Sequence, residues 1–200
     1  MWVFSDAATR AALLIDNFVG VNGTLLPAHT PDVGGPWVNM AGSATDFGIE
    51  GDKASCHVAS GDCNDGVNVG TAKGTLSYTF QFLDLAAPRS VNGYIGSSLD
   101  ESTEFIEATF DQSGVSELQA GDASSRFASM TFHWTPDTNP HVVALTFDGH
   151  TASVRLDGVL KAVVDLSLLG PFGTYAAIEG SSATTADKVQ VSNLQFVPFS

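Results

Sequence analysis

Asp16-Asn-Phe18, Asn22-Gly-Thr-Leu-Leu26, His29-Thr-Pro-Asp32 and Gly34-Gly-Pro-Trp37 string turn formers between isolated apolar anchors. Asn-Gly and Pro-Asp supply the backbone angles of tight turns, and Trp37 is a large side chain whose indole N–H needs a partner once buried. The stretch therefore predicts a long, turn-rich connection that delivers a tryptophan to a core. It carries no catalytic pattern.

Outward from this stretch the chain reads as strands. Leu13–Phe18 is extended, 19–45 is the excursion, and Asp46–Glu50 and Lys53–Ala59 flank a turn at Gly51-Asp52. Residues 60–72 are rich in Gly, Asp and Asn and predict a loop. Leu76, Tyr78, Phe80 and Phe82 alternate with Ser77, Thr79 and Gln81, the period of a half-buried strand. Further strands are expected over 91–96, 103–110 and 126–134. His141–Phe147, Ala152–Leu156 and Val159–Leu166 are separated by Asp148-Gly149 and Asp157-Gly158, two hairpin signals that predict a meander. A last strand over 188–197 turns Val189, Val191, Leu194 and Phe196 inward across an irregularity. Only the first residues differ: Ser5 or Asp6 caps a short predicted helix over Ala7–Leu13, behind an apolar tip of Trp2, Val3 and Phe4. That tip either tucks onto the core or docks on another protein.

Composition bounds the class. With 200 residues, 44% hydrophobic, the chain suits one domain, and 13 Phe and 20 Gly favour strands and turns. The expected class is all-β, an antiparallel two-sheet sandwich or jelly roll over 13–200, with residues 1–12 as an arm. A net charge of −14 opposes nucleic-acid binding. No basic residue lies between Arg89 and Arg126, where Asp100, Glu101, Glu104, Glu107, Asp111, Glu117 and Asp122 form an acidic run. No apolar run reaches the ~18 residues of a membrane span. The N-terminus lacks the pattern of a secretion signal, so synthesis in a cytoplasm is expected.

The opening stretch, the two Asp-Gly hairpins and the closing Val191-Ser-Asn-Leu-Gln-Phe196 together resemble the concanavalin A-like, laminin G-like jelly rolls of phage virion and bacterial surface proteins. The resemblance implies that the first and last strands lie side by side, covering Leu13 and Ile15 with Leu194 and Phe196, and that Trp37 closes one end of the core. It also implies a non-enzymatic virion component, such as a capsid decoration, head-fibre or tail-associated domain, docked on other virion proteins and possible as a homo-oligomer. The alternative is a glycan-binding module of the same fold, extracellular or on a cell surface, using loops at one end of the sandwich.

The search for chemistry yields little. Asp100-Glu-Ser-Thr-Glu104-Phe-Ile-Glu107 misses the Glu-x-Asp-x-x-Glu of laminarinase-type glucanases, and Glu104 and Glu107 fall on opposite faces of a strand. No Gly-x-Ser-x-Gly occurs, and His29, His57, His133, His141 and His150 are scattered. No enzyme and no resident cofactor is expected. Calcium is the one metal weighed, through Asp62, Asn64 and Asp65 in one loop. Cys56 and Cys63 leave open two free thiols, a disulfide across a short loop, or a metal site needing further ligands. Trp134 and Tyr175 are the aromatics suited to a sugar or, equally, to the core.

Overall fold

A computed structural model describes residues 10–40, 46–56, 61–86, 89–98, 103–122, 125–182 and 189–199. Trp2, Val3, Phe4 and His57 lie outside them. Of the helix predicted to Leu13, the described residues 10–13 are not helical. No helix among the described residues is long and apolar enough to cross a membrane.

The strands are β1 (Leu14–Asp16), β2 (Val38–Asn39), β3 (Phe47–Ile49), β4 (Ala54–Cys56), β5 (Gly61–Asn68), β6 (Gly74–Phe82), β7 (Arg89–Ser97), β8 (Phe105–Asp111), β9 (Val115–Asp122), β10 (Ser125–His133), β11 (His141–Phe147), β12 (Thr151–Leu156), β13 (Val159–Asp165), β14 (Tyr175–Ser182) and β15 (Val189–Pro198). They form two antiparallel sheets. The first runs β13-β12-β11-β6-β15-β4-β3, with β1 also on β15, and the second runs β10-β9-β8-β7-β14-β5-β2. Non-consecutive neighbours such as β6–β15 and β7–β14 make this a jelly-roll sandwich and not a simple meander.

The meander forms as expected at β11–β12–β13, and its second turn has positive φ at both Asp157 (50°) and Gly158 (78°), the geometry of a two-residue hairpin. The alternation on β6 buries Leu76, Tyr78, Phe80 and Phe82. On β15 the ladder shifts between Ser192 and Gln195, so Val189, Val191, Leu194 and Phe196 all stay buried. The first and last strands do pair, Leu14 opposite Phe196. The inward residues of β1 are Leu14 and Asp16, however, while Leu13 is exposed, because Asp16 and not an aliphatic side chain is drawn inward.

Four strands lie where none is expected from sequence, the two-residue β2 within the 19–45 excursion and β5, β9 and β14. Gly61–Asn68 is a strand because β14 pairs with it along its whole length and β2 pairs with its other edge. Tertiary pairing here overrides the poor strand preference of Gly, Asp and Asn. β9 and β14 are rich in Ser, Glu, Gln, Ala and Gly, and owe their extension to neighbours on both sides.

Candidate ligand-binding face

The opening stretch resolves into a corner built on one buried carboxylate. Asp16 Oδ2 accepts from Trp37 Nε1 at 2.7 Å, and Oδ1 accepts from the Phe18 N–H at 2.6 Å and lies 3.0 Å from His29 Nε2. Phe18 takes a positive φ of 57° to complete that turn. Trp37 and Phe18 are fully enclosed, so the corner is a structural pin.

A second polar site lies on the outer face of the second sheet. Because side chains alternate across a strand, antiparallel registers align outward residues in rows. One row runs Asn64, Glu179, Asn92, Thr109, Glu117 and Thr131 across β5, β14, β7, β8, β9 and β10. The next runs Gly66, Ala177, Tyr94, Glu107, Gln119 and Ser129. Gly66 and Ala177 are small there, and Met40 occupies the space above Gly66.

These rows are cross-braced around Tyr94. Its hydroxyl lies 2.5 Å from Glu179 Oε2 and 3.2 Å from Glu107 Oε1. Asn92 Nδ2 donates to Glu179 Oε1 at 3.1 Å, Thr109 Oγ1 donates to Glu107 Oε1 at 2.9 Å, and Gln119 Nε2 donates to Glu107 Oε2. Burial, then the charges of Glu107 and Glu179, hold the Tyr94 phenol well above its ordinary range, so it remains a neutral donor. It has a single proton for two facing carboxyl groups. Phe105 packs edge-on against Tyr94 with ring centroids 5.6 Å apart, and Tyr175 packs on the same apolar cluster with Met40 and Ala177. Asn92, Tyr94, Glu107 and Gln119 are buried, while Glu179, Thr109, Tyr175 and Phe105 are half-buried and carry the cluster to the surface. Beside Thr109 a shallow depression of about 380 Å³ continues across Asp111, Glu117 and Thr131.

The residues picked from sequence fall differently. Asp62, Asn64 and Asp65 lie on strand β5 and not in a loop, and Asp65 turns to the face opposite Asn64. Asp65 Oδ2 accepts from the Phe47 N–H at 2.7 Å, and burial with reinforcement from Asp46 raises its carboxyl to about 8. Among the described residues no group of three or more His, Cys, Asp or Glu is placed to hold a metal ion. Cys56 and Cys63 form a disulfide, with Cα atoms 5.6 Å apart, and it joins β4 of the first sheet to β5 of the second. Trp134 packs against Phe80 and Phe110 at the core and donates from Nε1 to Ser116 Oγ at 3.0 Å, whereas Tyr175 is on the outer face. His141 sits between Asp157 (2.8 Å) and Asp137 (3.1 Å), clamping a loop to a hairpin. In sequence Glu107 reads as part of an acidic run and as a mismatched partner of Glu104 in a glucanase-type pattern, and Glu179 carries no signal because β14 carries none.

No family model matches the chain, and no curated protein sequence does. Solved structures do match in fold. One, reported with endo-acting O-glycanases that members of the human gut microbiota express to initiate mucin breakdown, is 13% identical. It covers 95% of this chain and 100% of its own with a TM-score of 0.67. The carbohydrate recognition domain of Emp47p is 12% identical, covers 98% and 100%, and scores 0.57. The laminarinase catalytic domain of Thermotoga maritima is 9% identical, covers 81% and 85%, and scores 0.58. At such identities the likeness is one of fold, and the chain shares the jelly-roll β-sandwich of these domains.

Proposed function

We propose that the chain is a glycan-binding module whose outer face on the second sheet, and not the loops at one end, takes the saccharide. The observation that carries this reading is the cross-braced cluster around Tyr94, with half-buried Glu179 on one side of it and the apolar surface of Tyr175 and Phe105 on the other. Oriented polar groups beside aromatic surface suit a ligand whose hydroxyls need hydrogen bonds and whose ring faces are apolar. The fold neighbours, a carbohydrate recognition domain and two glycan-cleaving proteins among them, support a sugar over a protein shell. A disulfide supports an extracellular setting, where thiols oxidise.

Binding is favoured over hydrolysis. A glycosidase needs one carboxyl free to protonate the leaving group and another free to attack or to activate water. Here both carboxyls are turned onto one tyrosine hydroxyl, and Glu107 is held on both oxygens. A virion setting rests on the sequence resemblance to phage jelly rolls alone and draws no support from these neighbours. It would use the same face toward host glycans.

A glycan array probed with the whole chain, with and without chelator, tests the reading. Retention of one saccharide class is expected, weakened about tenfold or more in Tyr175→Ala, the size of one lost aromatic platform. A blank array, or binding indifferent to Tyr175→Ala, overturns it. Loss on chelation would return calcium to Asp62 and Asn64.

A further inference from the structure

We propose that the chain forms a two-fold dimer through the open edge of β13, which pairs antiparallel with β13 of a second copy about Val163. β13 ends the first sheet: β12 pairs with one side of it, and among the described residues no strand pairs with the other. An open edge offers a row of backbone N–H and C=O groups to another chain. The edges at the far end of the sandwich, β2 and β3, are only two and three residues long. The side chains of β13 suit a contact. Val159, Leu160 and Val163 are exposed, and Leu168 just beyond is 97% exposed. A cleft of about 250 Å³ between Phe127 of β10 and Leu168 carries this apolar surface onto the second sheet. Apolar side chains gathered in this way mark an interaction surface.

Charge selects the partner. A chain of net charge −14 repels its own copies over most of its surface. Val159–Asp165, however, carries one base, Lys161, and one acid, Asp165, each two residues from Val163. Antiparallel pairing about Val163 sets Lys161 of each copy opposite Asp165 of the other, and the two-fold makes that pair twice. The Ser167 N–H donates to Asp165 Oδ1 at 2.9 Å and holds this carboxyl below its ordinary range, so it stands as the anion. A lysine and a register shift, both present at Lys161, commonly blunt an edge. The lysine does so by repulsion, and in this register it meets an acid instead. The neighbouring edge, β10, lacks such symmetry: its sole Lys, Arg, Asp or Glu is Arg126, which Glu117 engages at 2.8 Å. The two-fold axis stands perpendicular to the joined first sheets. Both second sheets then lie on the same side and present their outer faces in one direction, whatever those faces bind.

Sedimentation velocity of the whole chain from about 1 to 100 μM tests this, with a dimer expected at the upper end. Lys161→Glu and Asp165→Lys, each alone, should weaken the dimer about tenfold or more, because each turns both pairs into like-charge contacts. Mixed in equal amounts, the two variants bring opposite charges together at both pairs and should associate as tightly as the wild type. A wild type that stays monomeric throughout overturns the proposal. So does a dimer indifferent to either variant, or one that mixing does not restore. Should a variant fail to fold, Val163→Cys decides, since the two residues face each other at the axis. Mild oxidation should link it into covalent dimers, and their absence overturns the proposal.

Discussion

The Asp16 corner and the Glu107–Glu179 face both place carboxyl groups under protein, yet they close their hydrogen bonds in opposite ways. At Asp16, donors from Phe18, Trp37 and the facing His29 fill both oxygens, all within one segment. At the outer face Glu107 is held from the consecutive strands β7, β8 and β9, whereas the contacts of Glu179 with Tyr94 and Asn92 reach 85 to 87 residues along the chain, and acceptors on Asn92 and Gln119 are left over. A buried carboxylate with its donors complete fixes a chain in one shape. One that gathers more acceptors than donors is poised for a ligand. The contrast separates a structural polar site from a receptive one without reference to any known relative.

The sharpest way to break the comparison is to remove the pin. Asp16→Ala strands the Trp37 indole N–H and the Phe18 N–H in a dry corner and leaves a void. Two unsatisfied buried donors and a small cavity should together cost about 4 kcal/mol. Chemical denaturation would read this as a lowered midpoint with an unchanged slope. A loss below about 1 kcal/mol would mean that Asp16 is no pin.

The difference between the two sites also explains what the sequence disclosed. Trp37, its need for a partner and the turns that deliver it lie within twenty-two residues of Asp16, so local chemistry exposed the corner as structural. The Asp-Gly hairpins and the alternation on β6 are likewise local signals, and with them came the sandwich. The outer face is a property of register across β5, β14, β7, β8 and β9. Asn64 reads as a loop ligand because nothing nearby in sequence marks that β14 pairs with it, and Glu107 reads as part of an acidic run or as a misaligned partner of Glu104 because its row is set by register. Glu179 lies in Ala176-Ala-Ile-Glu-Gly-Ser-Ser182, whose composition gives no strand signal at all. Its extension comes from β5 and β7 on either side. The disulfide was one of several open alternatives for the same reason: only the crossing of β4 to β5 brings the two thiols together.

Asp65 gives a graded version of the comparison, since it is buried with one donor, Phe47 N–H, and one carboxyl neighbour, Asp46. Its folded value of about 8 lies above the ordinary 3.8, so the folded chain holds a proton that the unfolded chain releases. The contribution is fully present below about 3.8 and is lost progressively as pH rises toward 8, levelling off beyond. Asp65→Asn keeps an oxygen for Phe47 and cannot ionise. It should match the wild type at pH 4 and exceed it by on the order of 2 kcal/mol at pH 8, less than the full shift because the amide must still be buried. Denaturation midpoints across that range check the sign. A variant equally weak at both ends would show that Asp65 needs its carboxylate as an acceptor.

The smallest expected effect is the most discriminating, because it comes from the receptive site. In Glu107→Gln the remaining carbonyl oxygen still accepts from Thr109 and Tyr94, and the new amide faces Gln119. Gln119 has a carbonyl oxygen without a partner among the described residues, so turning its amide over supplies the acceptor the variant needs. Relief of repulsion from Glu179 works in the same direction. Stability should therefore change by less than about 1 kcal/mol, tending upward, while saccharide binding weakens. Thermal denaturation and the glycan array would be read on the same preparation. A loss approaching that of Asp16→Ala would make Glu107 a second pin, and the outer face would then be scaffold throughout.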